Sequence, residues 1–185
     1  MQPEIPRAEL ALADERATQA LATAVAPHLR RGFVLFLSGD LGAGKTTFTR
    51  AVLRALGHAG RVQSPTFTLV QSYNLSSFDL YHFDFYRFSS PEEWREAGFD
   101  EHVGGDAAAI VEWPELGGAG MPAPDVWLRL APAEDAGAPE HSRVATLSAG
   151  TEWGRQCLIG VSDAARIGLL AGVSLRGASL EPPSP

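Results

Sequence analysis

Cysteine, basic charge and long apolar runs are all scarce in this chain. The single cysteine, Cys157, excludes an internal disulfide, and a lone thiol fits a reducing compartment. Nothing near Cys157 in the sequence resembles an activating base, so it reads as a small buried apolar residue and not as a catalytic thiol. Fifteen Lys and Arg against 22 Asp and Glu leave a net charge of −7. Neutralising phosphates needs a basic face, so the chain is not expected to grip nucleic acid by itself; any RNA is expected to be held by a partner. No run of about 18 apolar residues exists, which excludes a membrane-spanning helix. The N-terminal segment carries Glu4 and Glu9 and lacks a basic region before an apolar core, so it is not a signal peptide. The expected location is cytoplasmic, with no membrane partner. No internal repeat is visible.

What is present is a chain of 185 residues, 45% of them hydrophobic, which suits one globular unit with a full-sized core. Asp14 is a plausible N-cap for a helix to about Leu29, with Ala17, Leu21, Ala24, Val25 and His28 on one face and Pro27 near its end. Phe33–Leu37 is a continuous apolar run, the pattern of a strand buried on both faces. A helix follows from Lys45 to Leu56, with Gly57 placed to end it. Phe67–Tyr73 and Phe78–Tyr86 read as two strands joined at Asn74–Ser77, an antiparallel hairpin. Ser90-Pro91-Glu92-Glu93 has the form of a capping box opening a short helix that ends near Gly98. Ala107–Val111 reads as a buried strand, and Val126–Leu130 with Arg143–Leu147 as a later pair across a loop at Ala131–His141. The expected fold is a three-layer α/β sandwich with a mixed, mostly parallel sheet. The expected organisation is a main domain over residues 1–150 and a C-terminal extension over 151–185. That extension is read as partly helical at Asp163–Leu170, with a flexible tail at Gly177–Pro185.

Gly39-Asp40-Leu41-Gly42-Ala43-Gly44-Lys45-Thr46 matches G-x-x-x-x-G-K-[ST] at every required position, and it stands where that pattern needs to stand, after a strand and before a helix. Phosphates need many donors close by, and backbone N–H groups are the most compact. Glycines let that backbone approach, and the helix N-terminus, with Thr47 in its first turn, adds its positive end. Lys45 then reaches the β- and γ-phosphates of ATP, and the Thr46 hydroxyl suits Mg²⁺. An acid near the metal belongs at the C-terminal end of a buried strand. Glu112 follows Ala107–Val111 directly, and Asp84 lies late in its strand; each reads equally well as a solvated strand-end carboxylate or cap. Ser64-Pro65-Thr66 reads as a turn fixed by Pro65, and a hydroxyl there also suits a switch that senses the γ-phosphate. The aromatic cluster Tyr73, Tyr81, Phe83, Phe85 and Tyr86 reads as core before it reads as a base-stacking surface. His82 has no second His or Cys at ligand spacing, and Arg87 is open between a phosphate contact and a surface ion pair. Trp113, beside Glu112, can shape a nucleotide pocket.

These segments together resemble the TsaE (YjeE) family. The resemblance rests on Gly39–Phe48, Ser64-Pro65-Thr66-Phe67-Thr68-Leu69-Val70, Tyr81-His82-Phe83-Asp84-Phe85-Tyr86-Arg87 and Val111-Glu112-Trp113-Pro114, in this order, and covers about residues 10–150. It implies that Lys45 and Thr46 are the P-loop lysine and the metal-ligating threonine, that Glu112 ligates Mg²⁺, and that Asp84 is required for ATP hydrolysis. It implies a switch-like role for Thr66 and a functional role for Trp113, and it places Glu15 and Thr18 nearest the adenine. It further implies a P-loop NTPase-like α/β sandwich, with residues 1–150 as the ATPase domain, and an ATPase, weak alone, that works with TsaD and TsaB in making threonylcarbamoyladenosine in tRNA, with tRNA met only through that complex. A small-molecule kinase is the main alternative, though no arginine-rich lid segment is evident. A non-catalytic nucleotide-binding adaptor is the other, though a pure binder would not need both Asp84 and Glu112.

Overall fold

The computed structural model describes residues 5–134 and 137–181. Eight strands form a single sheet: β1 (Arg7–Leu12), β2 (Val34–Ser38), β3 (Val70–Asn74), β4 (Asp79–Asp84), β5 (Ala108–Glu112), β6 (Val126–Pro132), β7 (Arg143–Ala149) and β8 (Val173–Ser179). Their spatial order is β3-β4-β5-β2-β6-β7-β1-β8. The centre, β4-β5-β2-β6, is parallel, and the remaining pairings are antiparallel. Five strands therefore run one way and three the other, which gives the mixed, mostly parallel sheet expected.

Helices α1 (Glu15–Val25), α2 (Lys45–Ala55) and α4 (Glu152–Arg166), with the 3₁₀ turn Ala26–His28, cover one face, and the single-turn helix α3 (Glu93–Glu96) with the 3₁₀ segments Phe99–Glu101 and Pro114–Gly120 covers the other. Each face has its own apolar core. Leu21, Phe48, Val52 and Leu158 pack under α1, α2 and α4. Phe36, Phe83, Phe85 and Trp94 fill the opposite side, so most of the aromatic cluster is core and not a stacking surface. β2 and β5 are buried at every position, which explains their unbroken apolar runs.

Local chemistry explains the element ends. The Asp14 side chain accepts the Ala17 N–H at 2.9 Å and caps α1, which stops at Val25, and Pro27 sits in the 3₁₀ turn that follows. Glu93 accepts the Ser90 N–H at 3.0 Å, the reciprocal half of a capping box, yet the helix behind it lasts one turn. The hairpin strand β3 begins at Val70 and not at Phe67, because the Leu69 N–H turns back to the Pro65 carbonyl and Leu69 adopts φ 65°.

The C-terminal segment differs from the sequence reading. α4 starts at Glu152, eleven residues before the helix expected at Asp163, with Thr151 as N-cap accepting the Gly154 N–H. β8 pairs with β1 through Ser179, so the tail expected from Gly177 is strand over its first three residues; 182–185 lie outside the described residues. β1 itself was not expected, although Ala8, Leu10 and Leu12 alternate inward along it.

Candidate functional site

β2 ends at Ser38, and the chain turns through Gly39–Gly44 into α2, which begins at Lys45. Gly39, Gly42 and Gly44 all have positive φ. A Cβ on Gly39 would collide with the Leu130 carbonyl oxygen of β6, so glycine is required there by space as well as by φ. The Lys45 ammonium lies inside this loop. It donates to the carbonyls of Gly39 at 2.6 Å and Asp40 at 3.0 Å, and sits 4.0 Å from the centre of the Trp113 ring. Burial pushes its pKa below the ordinary lysine value, and the carboxylates of Glu112, Asp84, Glu115 and Asp40 oppose that shift.

The two candidate acids stand side by side. Asp84 ends β4 and Glu112 ends β5, and they are paired in register across the parallel sheet. Both are nearly fully buried. Glu112 Oε1 accepts the Thr46 hydroxyl at 3.2 Å and also meets His82 Nε2 at 2.8 Å. Asp84 Oδ2 accepts the hydroxyls of Thr66 at 2.7 Å and Ser64 at 3.0 Å, while its Oδ1 accepts the Tyr86 N–H at 3.0 Å. The Ser64-Pro65-Thr66 turn is thus tied to one acid and the first turn of α2 to the other. Trp113 follows Glu112 in a left-handed conformation, φ 58°, its ring 5.1 Å from that of Tyr86. A left-handed conformation at a bulky residue is a local strain of the kind found at functional sites.

Two cavities meet at the loop and share Gly42, Gly44 and Thr47. One, about 240 Å³, is lined by Leu41, Lys45, Thr46, Thr66, Asp84, Glu112 and Trp113 among others. The other, about 650 Å³, opens between the loop, the first turns of α1 and the start of β7. Most of the residues singled out from the sequence line these two cavities, Glu15 and Thr18 in the larger one together with Ala43; Gly39 and Asp40 line neither, and their carbonyls accept the Lys45 ammonium. Sequence reasoning missed Arg16, Gln19, His141 and Arg143, which complete that larger wall. It also missed Glu115, whose Oε2 accepts the Ser38 hydroxyl at 2.9 Å, while Trp127 Nε1 donates to the same hydroxyl oxygen. Among the described residues Arg87 has no ion pair; its guanidinium lies over the exposed Phe67 ring at 4.3 Å. One compositional signal did mark the site in advance: Lys45 is the chain's only lysine.

The oxygen donors gathered here, a hydroxyl and carboxylates beside a glycine-rich loop at a helix N-terminus, suit a hard divalent cation carried with a phosphate ligand. No group of three or more His, Cys, Asp or Glu side chains converges on one point among the described residues, so a soft-metal cage is not built here.

Comparison with known proteins supplies the lineage. The family model for "Threonylcarbamoyl adenosine biosynthesis protein TsaE" matches residues 12–141. The chain belongs to the TsaE family. A TsaE protein of Haemophilus influenzae is 40% identical over 109 residues, 59% of this chain and 69% of that protein. One from Bacillus subtilis is 43% identical over 99 residues, 54% of this chain and 61% of its own length. A crystal structure of Bacillus subtilis YdiB superposes with a TM-score of 0.72 at 29% identity, covering 86% of this chain and 97% of the other. The TsaE match takes in the loop, both acids and the Ser64–Thr66 turn, and leaves β7, α4 and β8 outside it. None of the helices among the described residues is long and apolar enough to cross a membrane.

Proposed function

We propose that this chain binds ATP with Mg²⁺ on the Gly39–Thr47 loop, hydrolyses it to ADP and phosphate, and acts with TsaD and TsaB in making threonylcarbamoyladenosine in tRNA. The observation that carries the proposal is the pairing of Asp84 with Glu112 beside Lys45, each acid holding a different hydroxyl that can respond to nucleotide. The backbone N–H groups of Gly39–Thr47 and the start of α2 bind the phosphates. Lys45 exchanges its two carbonyl acceptors for β- and γ-phosphate oxygens. Thr46 and Glu112 are the residues that would hold Mg²⁺, which neutralises charge on the β- and γ-phosphate oxygens when bound. Asp84 orients the attacking water, and Thr66 reports on the γ-phosphate by keeping or leaving its bond to Asp84. Glu15 and Thr18 face the base in the larger cavity, and Trp113 closes the pocket over Lys45.

Among the described residues no arginine lines the smaller cavity that holds Lys45, Thr46, Asp84 and Glu112, so the chain's turnover alone is expected to be weak and to rise with partners. Its acidic balance leaves tRNA to be met through that complex. Residues 1–150 carry the chemistry in this proposal, and from the 151–185 extension α4 packs on β7 and α1 while β8 pairs with β1. The test is nucleotide binding and ATP hydrolysis by the parent protein and by Asp84→Ala and Glu112→Ala, with TsaD and TsaB present. Both substitutions should cut hydrolysis more than binding, and Glu112→Ala should show the stronger change in Mg²⁺ dependence. Parental hydrolysis rates in both variants would overturn the assignment of the acids.

A further inference from the structure

His82 is fully buried on β4, two residues before Asp84, and none of the steps above uses it. Its Nε2 lies 2.8 Å from Glu112 Oε1, the oxygen that also accepts the Thr46 hydroxyl. Among the described residues, Glu112 Oε2 has no hydrogen-bond partner. The other imidazole nitrogen, Nδ1, is buried with no hydrogen-bond partner among the described residues. A buried polar atom left unpaired destabilises the fold, and an aromatic hydrocarbon of similar size would fill the same place without that penalty. The imidazole is therefore poorly explained as packing, while its one bond is aimed at a site carboxylate.

We infer that His82 is a positioning residue: by donating Nε2–H to Glu112 Oε1 it holds that carboxylate in one orientation, with Oε2 left over to serve a divalent cation or its water. The inference rests on the reading of Glu112 as the acid that serves Mg²⁺. Glu112 closes a buried strand with its side chain at the mouth of the pocket. Thr46 alone ties it to α2, and Thr46 is itself recruited when the cation arrives. A second tie that does not depend on the cation keeps the carboxylate set before and after loading. Groups behind a metal's direct ligands do this in many sites, and their loss typically costs about 10- to 100-fold in metal affinity.

The experiment compares the full-length parent with His82→Phe and His82→Gln. Binding of a fluorescent ADP analogue is followed across a Mg²⁺ titration and in EDTA, with melting temperature recorded for each protein. His82→Phe keeps a ring and removes both nitrogens. It should need at least about tenfold more Mg²⁺ for the half-maximal effect on nucleotide affinity. Its affinity in EDTA should match the parent's, and its melting temperature should equal or exceed the parent's. His82→Gln, whose amide N–H can reach the Nε2 position, should recover most of the Mg²⁺ response. If His82→Phe does not fold, His82→Asn, too short to reach Glu112, takes its place with the same expected Mg²⁺ shift. An unchanged Mg²⁺ midpoint in the folded variant overturns the inference. So does a parallel loss of melting temperature and of affinity with and without Mg²⁺, the pattern of a merely structural histidine. A parent whose nucleotide affinity ignores Mg²⁺ overturns the underlying reading of Glu112 instead.

Discussion

The Thr66 hydroxyl lies 2.7 Å from Asp84 Oδ2, and the Asp84 N–H donates to the carbonyl of Leu69, so the turn after the Arg61–Gln63 segment is fastened to the end of β4 at two points. Leu69, the second of those points, is held with φ 65°. A turn tied this way moves when either the hydroxyl or the carboxylate finds another partner. Thr66→Val, which keeps the shape and removes the hydroxyl, should therefore lower ATP hydrolysis by about 10²-fold or more while changing ADP affinity little. Steady-state hydrolysis and ADP titration on the same preparation check it; native turnover would separate Thr66 from the chemistry.

Lys45 is the only lysine, which makes its reactivity readable by amine labelling once the N-terminal amine is assigned. Burial pulls its pKa below 10.5, so its neutral, acylatable form should become accessible at lower pH than that of free lysine, and ATP should protect it. The sign for stability follows. In the window between its folded and unfolded values the unfolded chain binds more protons, so this group's contribution to stability rises with pH there. Lys45→Ala should stay folded but lose tight ATP binding, by about 1.5–3 kcal/mol or more. Calorimetric titration with ATP, alongside a melting curve, measures both.

The loop glycines should not be equivalent. Gly42→Ala meets no neighbouring atom and suffers only its positive φ, a destabilisation of about 1–2 kcal/mol. Gly39→Ala adds a collision with the Leu130 carbonyl and should disrupt the loop and its junction with β6. Melting temperatures of the two variants should fall in that order, with Gly39→Ala the lower.

Cys157 is fully buried in α4, and burial, with Asp125 adding to it, pushes its thiol up to about 12. It should resist iodoacetamide at neutral pH in the folded protein and react readily in denaturant. Mass spectrometry of the alkylated protein decides the matter. Truncation after Gly150 should be worse than any point change. It removes the buried side chains Leu158 and Val161 and leaves β1 as an unpaired edge, so that shortened chain should be insoluble or molten by circular dichroism.

The Gly39–Thr46 loop was legible in the sequence because its pattern is local. Glycines, Lys45 and Thr46 stand in one octet between an apolar run and an amphipathic helix. Asp84 and Glu112 were visible as strand-end acids, but their pairing depends on β4 and β5 being neighbours, which only the sheet order shows. The same limit hid His141 and Arg143, brought to the larger cavity by β7, and it hid the contact of His82 with Glu112. β8 was missed for a different reason. Val173–Ser179 is mostly exposed on an edge, so it lacks the apolar alternation that marked the inner strands.

The central claim is that this chain's ATP turnover serves repeated tRNA modification by a partner complex. Its most direct test is a reconstitution with TsaD, TsaB, the activated threonylcarbamoyl donor, tRNA and ATP, omitting each protein in turn. Threonylcarbamoyladenosine per complex and phosphate release are read together. The account predicts weak hydrolysis by this chain alone, stimulation by TsaD and TsaB, and more than one modification per complex only when all three are present. Multiple-turnover modification that proceeds equally well without this chain would contradict it, even if ATP bound as expected.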